Sequence, residues 1–80
     1  MFYSNETKIE KGVKYTVKYD QDLITVFAKN LKTGRNKMVE YHCDYNYFTG
    51  YKDEDVIEVY RIVDDLVKEL ENEKSVRRLS

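Results

Sequence analysis

One stretch of helical periodicity, and only one, governs what this chain can fold into. Val56, Val59, Tyr60, Val63, Leu66, Val67 and Leu70 recur at i, i+3, i+4, i+7, i+10, i+11 and i+14, the stripe of an amphipathic helix. Ile57 and Ile62 widen it. Asp53 stands at the cap position, and Glu54 and Asp55 follow where the helix dipole favours acids. The pattern predicts a helix over 53–74. A lone amphipathic helix must bury its stripe against something, and the rest of the chain offers only strands.

The clearest strand follows Gly12, where Val13, Tyr15, Val17 and Tyr19 alternate with Lys14, Thr16 and Lys18. That gives one apolar face and one basic face. Asp20-Gln21-Asp22 is a tight polar turn. A second strand runs over about 23–31, with Ile24, Val26 and Ala28 on one face and Leu23, Thr25, Phe27 and Lys29 on the other. Both faces have apolar members, a mark of a central strand, so the pattern leaves open which face is core. Lys32-Thr33-Gly34-Arg35-Asn36 reads as a hairpin loop. A third strand spans about 37–43, with Val39, Tyr41 and Cys43 on one face and Met38, Glu40 and His42 on the other. Residues 44–52 form a loop rich in aromatics. Residues 1–11 are weakly patterned, and Phe2, Tyr3 and Ile9 either add a short strand or cover one end of the core.

The expectation is one α+β domain over 1–80: a three-stranded antiparallel β-meander over 12–43, an aromatic loop, one C-terminal helix laid across the sheet (βββα), and a short basic tail over 75–80. Eighty residues bury only roughly 60–65% of the surface an unfolded chain exposes. A core of sheet against helix fits that size, and a deep walled substrate cavity does not. One helix covers one sheet face, so the other meets water or a partner.

Charge is segregated. Residues 1–52 carry nine Lys/Arg and six Asp/Glu, residues 53–74 carry three and nine, and the last six residues add Arg77 and Arg78. The net charge of −1 argues against strong nucleic-acid or membrane binding by the chain as a whole, while local patches stay open to it. Cys43 is the single cysteine, so no internal disulfide can form, and a reducing, cytoplasmic compartment is expected. No apolar run reaches the length of a signal h-region or a membrane span. One alanine against many Lys, Asn, Tyr, Ile, Asp and Glu reflects A+T-rich codons, the usage of a low-GC bacterium or one of its phages.

No constellation of residues points to catalysis, a cofactor or a metal. His42, the one histidine, adjoins Cys43, and neighbours in a strand point to opposite faces, so they cannot act as base and nucleophile. One His and one Cys do not make a zinc site, and Asp20, Asp22 and Asp44 lack the ligand order of a calcium loop. Three scattered glycines form no phosphate loop.

Binding surfaces are better represented. Tyr45, Tyr47, Phe48 and Tyr51 fall within seven residues, a dense aromatic loop of the kind that anchors protein interfaces. Tyr47 and Phe48, near the loop tip, are expected to be the more exposed pair; Tyr45 and Tyr51, near the element ends, are expected to be the more buried. The acids Glu54, Asp55, Glu58, Asp64, Asp65, Glu69, Glu71 and Glu73 give the helix a second surface, suited to a basic partner. A third is a lysine-rich face made of Lys14, Lys18, Lys29, Arg35 and Lys37, with Thr16, Thr25 and Phe27 between the cations, suited to phosphates. The strand–strand–strand–helix order over about 12–74, with Gly34-Arg35 at the hairpin turn, resembles the small DNA-binding domains at the start of some phage integrases, although this chain is not basic overall. A homodimer through the uncovered sheet face or the third-strand edge is a further arrangement the pattern allows. The leading expectation is a non-enzymatic interaction protein, a phage- or mobile-element-encoded modulator that binds and inhibits a host protein. The alternative is a DNA- or RNA-binding module using the lysine face.

Overall fold

The computed structural model describes the backbone of residues 5–77 and the side chains of residues 5–71. Four strands come first: β1 (Glu6–Glu10), β2 (Val13–Asp20), β3 (Leu23–Asn30) and β4 (Asn36–His42). One helix, α1 (Asp53–Arg77), follows. The strands form an antiparallel meander in the order β1-β2-β3-β4, with α1 packed on one face.

The sheet thus has one strand more than the sequence pattern predicts. Lys11 and Gly12 both have positive φ, the conformation of a two-residue turn that matches strand twist, and this turn folds Glu6–Glu10 back onto β2. Gly12 accepts such a φ without strain. The strand is hard to see in the sequence because it lies on the sheet edge, so all but one of its residues are exposed and no apolar alternation is required of it. Phe2 and Tyr3, the other candidates there, lie outside the described residues. So do Arg78 and the rest of the predicted basic tail beyond it.

The next turn is equally short. Asp20 pairs with Leu23 across Gln21-Asp22, with Gln21 at φ +52°. That turn sets Val17 opposite Val26, Tyr15 opposite Ala28 and Tyr19 opposite Ile24. Because β2 presents Val13, Tyr15 and Val17 to the core, the register forces Ile24, Val26 and Ala28 onto the same side. The open question of which face of β3 is buried is settled there.

The helix stripe meets this face. Val56, Val59, Val63, Leu66, Val67 and Leu70 are buried against Val13, Tyr15, Val17, Ile24, Val26 and Ala28, with Val39, Tyr41, Cys43 and Ile62 partly buried at the margins. Two members of the predicted stripe depart from it. Ile57 is exposed, and Tyr60 is 40% exposed on the flank facing β1, where its hydroxyl lies 3.2 Å from Glu6 Oε1. The helix also begins one residue earlier than the expected cap implies. The Lys52 carbonyl accepts from Val56 N (3.2 Å), so Asp53, Glu54 and Asp55 fill the first turn and Lys52 holds the cap position. No helix of the described residues is long and apolar enough to cross a membrane.

Candidate functional site

The aromatic loop is an ordered structure tied to the β2–β3 turn. Cys43 N donates to the Asp22 carbonyl (2.9 Å) and Tyr45 N to Asp22 Oδ1 (3.0 Å), which carries the chain out of β4 alongside that turn. Asn46 and Gly50 then form an antiparallel bridge, with Gly50 N donating to the Asn46 carbonyl at 2.7 Å. Inside it, Asn46 Oδ1 accepts from Phe48 N (2.7 Å) and Thr49 N (3.1 Å), an Asx turn. Gly50 closes the loop at φ +80°.

This arrangement sorts the four aromatics into two pairs. Tyr51 is buried, 4% exposed, and its ring lies 4.7 Å from that of half-buried Tyr45 and 5.4 Å from Tyr19. Burial pushes the Tyr51 phenol above its usual range. Tyr47 and Phe48, by contrast, are 68% and 91% exposed. Tyr47 stands edge-on to Tyr45 at 5.3 Å and its hydroxyl lies 3.1 Å from Gln21 Oε1. Tyr45 and Tyr51 are therefore the base of the loop, and Phe48 is its bare tip. Gln21 and Asp22, legible in the sequence only as turn residues, hold the tip in shape together with Asn46, which the sequence pattern does not mark as a site residue. The Asn46 side chain two residues before Phe48 is the signal an Asx turn leaves.

The lysine face assembles only in part. Lys14 and Lys29 are direct cross-strand partners on the side turned from α1, and Lys18 lies on that side opposite Thr25. Lys37 does not join them. It pairs with Ala28, which places it on the helix side, and its ammonium forms an ion pair with Glu69. Alternation along β4 forces this, because Met38, Glu40 and His42 take the other side. Arg35 lies in the β3–β4 loop, off the strand face. At this end of the sheet a cleft of about 420 Å³ is lined by Lys11, Gly12, Asn30, Leu31, Lys32 and Glu71.

The acidic helix face is also smaller than the sequence implies. Asp55 is buried and accepts a 2.8 Å hydrogen bond from the Tyr41 hydroxyl. Glu69 is engaged by Lys37. Cys43 is half-buried, with Sγ 3.8 Å from the Gln21 carbonyl. Burial, then the charges of Asp55, Asp22 and Asp44, raise its thiol pKa. His42 points to the opposite, exposed side, as alternation demands. Among the described residues no three His, Cys, Asp or Glu side chains converge on a metal-sized site.

No family model matches the chain, and no curated protein or solved structure matches it at a significant level.

Proposed function

We propose that this chain is a non-enzymatic interaction module that grips a protein partner with the Tyr47–Phe48 tip. The observation that carries the reading is Phe48: a large apolar side chain, 91% exposed, at the end of a turn fixed by hydrogen bonds from both Asn46 and Gly50. Exposed apolar area of this kind costs solubility and is offset when a partner covers it. The rigid turn lowers the entropy lost on docking, which favours affinity. The Tyr45–Tyr51 base buttresses the tip, so partner contact does not require the loop to refold. The partner is read as a host protein and the chain as its phage- or mobile-element-encoded inhibitor in the cytoplasm; a composition weighted towards residues with A+T-rich codons and the lone thiol support that reading.

The test is affinity capture from nuclease-treated bacterial lysate with the parent and with the Tyr47→Ala/Phe48→Ala double variant. The parent retains a discrete protein and the double variant loses it. Both fold alike, because neither side chain contributes to the core. An Ile57→Ala control, exposed on the helix, retains capture. Undiminished capture by the double variant refutes the proposal.

A further inference from the structure

The sheet face turned away from α1 has no cover among the described residues, and its layout specifies a ligand. The strand register arranges it in rows. Ile9, Lys14, Lys29 and Asn36 form one row, and Thr7, Thr16, Phe27 and Met38 the next. Lys14 and Lys29 stand directly opposite one another, an arrangement that costs stability because like charges in register repel. Among the described residues no carboxylate pairs with either. Lys11 in the β1–β2 turn and Lys32 in the β3–β4 loop add charge at the same end. The carboxylates of this face lie away from the lysine couple: Glu40 ends the row of Lys18 and Thr25, two strands from Lys18, and Asp20 lies in the row beyond. Phe27, 41% exposed, occupies the row between the lysine couple and Lys18, with Met38 beside it.

We infer that this face binds single-stranded nucleic acid, with Phe27 stacked on an unpaired base and Lys14, Lys29 and Lys18 against phosphates. The surface is distinct from the Tyr47–Phe48 tip and stands independently of it. An unmatched lysine couple calls for an anion. An aromatic ring on an open antiparallel sheet is a platform for a base that is free to stack. In a duplex the bases are already stacked, so the ring has no such role there. An acidic protein uses the lysines but has no need of the ring.

The test is fluorescence anisotropy with labelled oligothymidylate, a blunt DNA duplex and poly-glutamate at about 50 mM salt. Oligothymidylate binds most tightly, and its affinity falls with salt at a log–log slope of roughly −2, about −0.7 for each of three phosphates neutralised. Phe27→Ser and Phe27→Leu each weaken binding by about fivefold or more and leave the slope unchanged. Lys14→Glu with Lys29→Glu weakens it more than tenfold and flattens the slope. All these side chains point away from the core, and circular dichroism confirms that the variants fold. The Tyr47→Ala/Phe48→Ala variant binds oligothymidylate like the parent, which separates this inference from the protein-binding one. Three results overturn it: no binding to oligothymidylate, duplex or poly-glutamate bound as tightly, or folded Phe27 and lysine variants that bind undiminished.

Discussion

The Asn30 side chain, buried at the end of β3, donates a 2.8 Å hydrogen bond from Nδ2 to the backbone carbonyl of Leu70 in α1. Its Oδ1 accepts from Lys32 N (2.8 Å) and Thr33 N (3.0 Å). One side chain thus shapes the β3–β4 loop and fastens it to the helix. Asn30→Ala removes all three bonds and is expected to cost about 1–3 kcal/mol in urea denaturation. Asn30→Asp keeps the acceptor but sets a carboxylate against the Leu70 carbonyl, so it should cost at least as much. Parent-like stability in both variants would show that the latch contributes nothing.

The helix stripe supplies the core. Leu66 is buried beneath the sheet while Ile57 on the same helix is exposed. Leu66→Ala is expected to cost about 2–5 kcal/mol, a large share of the stability of a small domain. Ile57→Ala should stay within about 0.5 kcal/mol of the parent. Equal melting of Leu66→Ala and the parent would mean that the packing of α1 described above is wrong.

Alkaline pH should weaken the fold through Tyr41. Its hydrogen bond to Asp55, then burial and the negative charge of Asp55, push the Tyr41 phenol from 10.0 up to about 12. The folded form therefore holds its proton longer than the unfolded form does. The stability this contributes is complete below about pH 10 and is lost as pH rises towards about 12. Burial raises Tyr15 and Tyr51 in the same direction. Urea midpoints measured from pH 9 upward should fall for the parent, and fall less steeply for Tyr41→Phe. A decline of equal steepness in both would remove Tyr41 from the account.

Folding should need no metal. Cys43 and His42 lie on opposite sides of the chain, and no third ligand converges on either among the described residues. Excess chelator is expected to leave the melting temperature unchanged. A fall of several degrees, or zinc carried through purification, would reopen the role of His42.

Much of this molecule is legible in one dimension. The period of α1, the alternation of β2 and the polar turn at Gln21-Asp22 are local signals, and each depends on which neighbours a residue must share a face with. They suffice for an antiparallel sheet under one helix, and for Phe48 at a loop tip beside Gly50. The sequence left β1 as one of two alternatives for residues 1–11, because an edge strand beyond most of the helix's reach is free to carry Glu6, Lys8 and Glu10 on its helix-facing side. It also left β3 ambiguous, since Ile24-Val26-Ala28 and Leu23-Phe27 are both apolar. Tertiary structure chose between them through register: the β2–β3 turn ties β3 to the core side of β2, which leaves Phe27 in the open. The same constraint broke up the lysine set, because pairing with Ala28 carried Lys37 to the helix side, where Glu69 meets it. Asp55 sits among the acids in sequence but was drawn inward by Tyr41, a partner fourteen residues away. Period and propensity fix which elements form. Which side chains end up sharing a surface depends on the pairing of strands distant in sequence, and that is decided only when the sheet closes on the helix.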